Sequence, residues 1–275
     1  DQLTIGGSGL TAFAGINGGT SSATGLTLTG VNFALAMLTE RDLAPGKTAR
    51  EWTALQATAA GASFGGVDGL TLAASEMTVQ INRAGTDGTL VDFAAQNLTV
   101  QTGTVDTPRN ITLDLAASLG ELTRASGNIE IDAFGFFQVA GALQIEKSRN
   151  SVKLGDLAST KDVNESTNAV SVDQLTIGGS GLTAFAGVNG GSEDATGLTL
   201  TGVNFALALL TERDLAPGKI AREWTALQAT AATADFAGVD GLTLAASDMS
   251  VQLNRAGADG TLVDFAAQNL KVQTG

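Results

Sequence analysis

The chain has 275 residues, 43% of them apolar, with 35 glycines and three prolines, a composition that suits a folded core and not a low-complexity linker. It has neither cysteine nor histidine, which removes disulfides, thiolate metal sites, thiol nucleophiles and imidazole acid–base chemistry together. A formal net charge of −13 argues against nucleic acid or an anionic membrane surface as partner, because both are bound through clustered Lys and Arg.

No run approaches the roughly 18 apolar residues of a membrane helix, and no charged-then-apolar signal segment opens the chain. The dominant feature is a repeat. Residues 1–103 lie over residues 173–275 without a gap at an offset of 172, with fourteen differences in 103 positions. The chain therefore reads as a first period, 1–172, and a partial second period, 173–275, equivalent to 1–103. Such arrays are built from units that lean on their neighbours. Because the chain opens and closes inside a period, it is expected to be a segment of a longer array.

In chain order, residues 1–17 alternate apolar and small polar residues, a period of two that predicts a strand. Asn17-Gly18-Gly19-Thr20-Ser21-Ser22 predicts a turn. In Gly25–Leu38, Leu26 and Leu28 share one face, and after Gly30 the apolar set slips by one residue to Val31, Phe33, Leu35 and Met37. A slip of one reverses every side chain, so a bend or bulge is expected near Gly30. The same figure recurs at Leu70 and Leu72 with Met77, Val79 and Ile81, at Val91 and Phe93 with Leu98 and Val100, and at Ile129 and Ile131 with Phe137 and Val139.

Short strands joined by small-residue corners, recurring about every 21 residues, predict an all-β tandem-repeat β-solenoid with about eight coils per 172-residue period. At the ~4.8 Å spacing of paired strands each period would advance roughly 38 Å. A string of small β-sandwich domains is the alternative. Helix is the competing reading for Phe33–Arg41 and for Thr48-Ala49-Arg50-Glu51 ahead of Trp52, where the spacing suits a capping box. The second copy puts Ile220 at the cap position and so breaks the box. The Phe134-Gly135-Phe136-Phe137 cluster is expected to pack in a core at a corner. Residues 147–172 are charged and rich in Ser and Asn, which predicts a polar, loop-like segment.

Gly6-Gly7-Ser8-Gly9 resembles the start of a calcium-binding nonapeptide, but Thr11 stands where the aspartate ligand belongs, so the glycines are better read as allowing a tight backbone corner. Asp68, Asp87, Asp240 and Asp259 each precede glycine and predict turns. Carboxylates meeting across stacked coils would be the candidate metal ligands, with calcium as the candidate ion. Thr27 with Thr29, and Thr199 with Thr201, form a threonine face confined to one strand. Asn97, Asn110 and Asn164 begin formal glycosylation sequons, the first of which Lys271 removes in the second copy. Asn82 and Asn254 are expected to close strands or to join an asparagine ladder. No spacing suggests a nucleophile–base pair or paired catalytic carboxylates, so the chain reads as a non-enzyme with no cofactor.

Gly25–Ala36, Gly66–Ser75, Leu90–Phe93 and Ile131–Gly141 together resemble the long repeats of giant bacterial surface or secreted proteins of the LEPR-XLL type. The resemblance implies an extracellular, non-enzymatic scaffold and carries over no site residues. The expected partners are neighbouring repeats or identical chains in a filament, without nucleic acid or membrane insertion. The expected role is a structural segment of an extracellular filament, stalk or adhesin. The alternative is a calcium- or glycan-binding adhesive module at the cell surface.

Overall fold

A computed structural model describes residues 1–41, 43–156, 169–268 and 270–274. The strands are β1 (Gln2–Ile16), β2 (Thr24–Thr39), β3 (Glu51–Gly65), β4 (Leu70–Arg83), β5 (Leu98–Gln101), β6 (Asn110–Leu113), β7 (Leu122–Ala133), β8 (Phe137–Asp156), β9 (Ala169–Val188), β10 (Thr196–Glu212), β11 (Glu223–Ala237), β12 (Leu244–Arg255) and β13 (Thr261–Val263). The only helical turn among the described residues is a 3-10 turn at Ala117–Leu119. Both helix readings fail, since residues 33–39 continue β2 and residues 51–55 open β3.

The all-β class is borne out, but the wound coil is not what these strands form. Stacked coils pair in parallel, whereas each recorded pair here is antiparallel. Short turns such as Asn17–Ser22, between β1 and β2, and Gly66–Gly69, between β3 and β4, reverse the chain from one strand to the next, and that connection suits an antiparallel meander.

The chain divides into two compact units, Asp1–Ile129 and Glu130–Gly275, with the boundary inside β7. In the first unit the sheet order is β1-β2-β3-β4, with the start of β7 beside β4. One face of this sheet is covered by the excursion from residue 84 to residue 121. Ala34, Ala36 and Ala54 pack there against Phe93, Val100, Leu113 and Leu115, all buried. Small side chains on the sheet let the covering layer approach closely, and a Cβ on Gly6 would lie 2.9 Å from Val100. The opposite face carries the cross-strand row Ile5–Leu35–Leu55–Ile81, with Leu3 and Met37 beside it. It is apolar but largely uncovered, with Leu3 53% and Ile5 44% exposed.

The second unit repeats this plan with order β8-β9-β10-β11-β12 and β13 against the end of β8. Its corresponding row is Ile145–Ile177–Leu207–Leu227–Leu253.

The slip expected near Gly30 is present. Between β2 and β3, Thr29 pairs with Gly61 and Asn32 with Thr58, leaving two unpaired residues on each strand. Gly30 takes φ 60° and Gly202, its copy, φ 59°. Neighbouring strands bend at Gly9 and Gly181, and at Glu76 and Asp248, all in the left-handed region. The alternation therefore resets along one line across each sheet, and Leu10 returns to the face of Gly7 and Phe33.

Two expectations are corrected. Phe134 and Gly135 do form the tight turn into β8, but Phe134, Phe136 and Phe137 are 57%, 59% and 47% exposed and are not core residues. Of the loop-like segment 147–172, residues 147–156 extend β8 and residues 169–172 open β9, and Val152, Leu154 and Val172 are buried. Alternation within Ser151-Val152-Lys153-Leu154 puts the apolar pair on one side of the strand. Residues 157–168, including the Asn164 sequon, lie outside the described residues.

Candidate functional site

The most highly organised polar cluster occurs twice, once in each unit. In the first, Glu40 follows β2, Arg50 precedes β3 and Trp52 lies in β3. The backbone joins the first two, Glu40 N–H donating to Arg50 C=O at 2.9 Å. Arg50 donates through Nε to Glu40 Oε2 at 2.9 Å and through Nη2 to Glu40 Oε1 at 2.5 Å, a two-point bond that matches the guanidinium fork to the carboxylate. Its Nη1 reaches Asp87 Oδ2 at 3.1 Å, and its guanidinium lies 5.1 Å from the Trp52 ring centroid.

Asp87 sits in a turn closed by Gly85 N–H donating to Thr89 C=O at 2.8 Å. Its Oδ1 accepts from the Thr89 amide at 3.0 Å and from the Thr89 hydroxyl at 2.6 Å. The indole Nε1 of Trp52 donates to Thr89 C=O at 3.0 Å. Gly85 is needed where the turn crosses the indole, since a Cβ there would lie 3.1 Å from Trp52 Nε1.

The second cluster repeats each contact through Glu212, Arg222, Trp224, Asp259 and Thr261, with Arg222 Nη1 to Asp259 Oδ2 at 3.0 Å and Trp224 Nε1 to Thr261 C=O at 3.1 Å. Its surroundings differ. Trp224 is 2% exposed because Val152, Leu154, Val172, Leu210 and Val263 pack with it, whereas Trp52 is only half-buried. The covering residues Val152 and Leu154 come from β8, the last strand of the first period.

The electrostatics follow from these contacts. The two-point bond to Arg50 holds Glu40 below the usual carboxylate range, against a smaller effect of burial. Hydrogen bonds from Thr89, and then Arg50, lower Asp87. Arg222 lowers Glu212 in the same way. At Asp259 burial is the largest influence and acts upward, but the bonds from Thr261 and Arg222 outweigh it and the net shift is downward. Arg50 and Arg222 are both shifted upward by their carboxylate partners.

Of the four candidate metal ligands, Asp87 and Asp259 thus face arginine and threonine. Asp68 and Asp240 sit in exposed turns at Val67–Leu70 and Val239–Leu242, closed by 3.2 Å and 3.1 Å backbone bonds, and do not join the clusters. Among the described residues no three acidic side chains gather as metal ligands would. The Gly6–Gly9 stretch lies inside β1, where Gly7 admits the Phe33 ring and Gly9 forms the bend. Asn82 and Asn254 do close β4 and β12, and Asn254 donates to Val263 C=O at 3.1 Å.

Glu40 and Thr89 belong to no sequence motif, and Arg50 and Trp52 enter the sequence reading only beside the helix cap that β3 replaces. Their signal was available: both tryptophans of the chain follow Arg-Glu, and those three residues persist while the neighbouring Thr48 becomes Ile220. Chemically, the cluster pins the turn after β4 onto the start of β3, with its polar groups directed at one another. Comparison of the chain with family models, curated proteins and solved structures finds no match.

Proposed function

We propose that the chain is a structural repeat segment of a long extracellular filament, stalk or adhesin, supplying reach and stiffness. One observation carries this reading. The second copy of the Arg–Trp cluster is sealed by β8, so a repeat is completed by the strand that precedes it. Units whose cores depend on their sequence neighbours behave as a one-dimensional array, and that dependence is the source of the stiffness in this reading. The 89 identities between the copies support uniform stacking, the resemblance to giant bacterial surface proteins supports the extracellular setting, and the net charge of −13 opposes sideways association.

The test is to image chains of one, two and three full periods by negative-stain electron microscopy, with and without chelator. The expected result is a contour length that rises by a constant increment per period and does not respond to chelator. Compact beads on flexible joints, or fraying on chelation, would overturn it in favour of linked domains or a calcium-dependent adhesive module.

A further inference from the structure

We propose that the uncovered apolar face of each sheet is one half of a two-layer sandwich, and that the other half is the same face of a second copy of this chain. In the first unit the sheet and its covering layer, residues 84–121, are both in place, and that layer lies on the opposite side, against Ala34, Ala36 and Ala54. The open face is therefore a property of a unit whose own cover is present. The inference stands on the sheets alone and does not rest on the filament reading.

The bend line shows that this face is specified. Before the bend, β2 turns Phe33, Leu35 and Met37 to it, and unbroken alternation would then turn Thr27 and Thr29 to it and Leu26 and Leu28 away. The reset prevents this. Cross-strand pairing makes the face Gly7–Phe33–Ala57–Val79 on one side of the bend and Ala14–Leu26–Phe64–Leu72 on the other. β1, β2 and β4 each take a left-handed residue at the bend, Gly9, Gly30 and Glu76, and so keep one face apolar along their whole length. The face is also level. The Phe33 ring lies over Gly7, where a Cβ would come within 2.7 Å of it, and Phe205 lies over Gly179 in the same way. Level, twisted faces are what two packed sheets present to each other across ~10 Å.

Size, charge and variation choose a second copy as the occupant. Five strands about 4.8 Å apart, β8 to β12, and about ten residues at ~3.3 Å each give ~800 Å² in the second unit, one partner's share of a standard interface. From the Phe137–Ala186–Leu198 row to the Lys147–Leu175–Leu209 row, no paired position on this face holds a carboxylate. The net charge of −13 that opposes association elsewhere is thus absent where two copies would meet. The copies differ in charge at Glu193, Asp194, Asp235 and Lys271, all outside these rows, and within the rows only Met37 becomes Leu209 and Ile81 becomes Leu253.

The experiment is analytical ultracentrifugation of the 275-residue chain from nanomolar to high micromolar concentration. The expected result is a saturating shift to twice the 27.6 kDa chain mass. Leu35→Thr with Leu207→Thr, which keeps β-branched residues in the strands, weakens pairing at least tenfold with an unchanged circular dichroism spectrum. Ser63→Lys, on the opposite side of the sheet, leaves it unchanged. Because the chain has no cysteine, single thiols report the buried face directly. A Leu227→Cys thiol reacts with an aqueous maleimide at least tenfold more slowly in the pair than in the monomer, and a Ser63→Cys thiol reacts equally in both. A monomer at every concentration, assembly that continues past a pair, or pairing insensitive to the double threonine variant would overturn the proposal. So would a Leu227→Cys thiol already slow in the monomer, which would put the cover within the chain, or a monomer that sediments with phosphatidylcholine vesicles, which would give the face to a lipid surface.

Discussion

Arg222 joins three parts of the chain: Glu212 at the end of β10, Asp259 after β12 and Trp224 at the start of β11. Exposed ion pairs contribute little, but this one is two-pointed, and the Arg222 and Glu212 side chains are 25% and 13% exposed. Arg222→Ala leaves Glu212 partly buried without its partner, and the expected loss, discounted for the remaining exposure, is about 1–2 kcal/mol. Urea unfolding followed by Trp224 emission would measure it as a lower midpoint.

The pH dependence has a definite sign. Glu212 and Asp259 are held below their ordinary values in the fold, so the stability they contribute is present above the unfolded carboxylate range and disappears as pH falls through the lowered folded values. The wild-type chain should thus lose stability on acidification below about pH 4.5, and Arg222→Ala should flatten that dependence. A variant with the same steep acid loss as wild type would remove the cluster from the account.

At the scale of the element, the bend line was legible because a one-residue slip in alternation needs a physical cause, and glycine at φ 60° provides it. The wound coil was misread because a spacing of about 21 residues fits a strand plus its turn as well as a coil, and period alone does not say whether the chain circles or doubles back. The buried face does not follow the larger apolar residues. Phe33, Leu35 and Met37 carry the larger apolar surface, yet Ala34 and Ala36 are buried, since small residues are what a close covering layer needs. Of the cluster, the aspartate turns were visible in the Asp-Gly pairs, but Glu40, Arg50 and Asp87 are brought together by strand register, which the sequence does not display.

Two glycines on the bend line have different surroundings. A Cβ on Gly30 would lie 2.8 Å from Ala60 Cβ, whereas one on Gly181 meets nothing within 4 Å, although both sit near φ 60°. Gly181→Ala should cost only the left-handed backbone penalty, about 1–2 kcal/mol. Gly30→Ala adds overpacking, for about 2–4 kcal/mol in all. Thermal unfolding of the two variants should rank them in that order. Equal losses would mean that the sheet yields at the bend and that backbone conformation alone sets the cost.

For the whole molecule, the question is whether the periods are coupled, and β8 is where coupling can be measured. Its residues Val152 and Leu154, 1% and 7% exposed, pack with Trp224, Val172, Leu210 and Val263. Leu154 pairs with Val263, while Val152 pairs with Val170 of β9. Lys153 holds the chain beyond β13 as well, its C=O accepting from Asp264 N–H at 2.9 Å and its N–H donating to Gln268 Oε1 at 2.9 Å. Val152→Asp would set a carboxylate among these apolar side chains, a change expected to cost about 3 kcal/mol or more. Because both tryptophans lie in matching clusters, they make an internal comparison. Trp224 emission should shift to the red and become accessible to an aqueous quencher, approaching Trp52, while Trp52 itself stays unchanged. Single-tryptophan variants, Trp52→Phe and Trp224→Phe, separate the two signals. If Trp224 stays sealed in the Val152→Asp chain, the second period holds its own core, and a stiff array would have to draw its continuity from contacts other than β8.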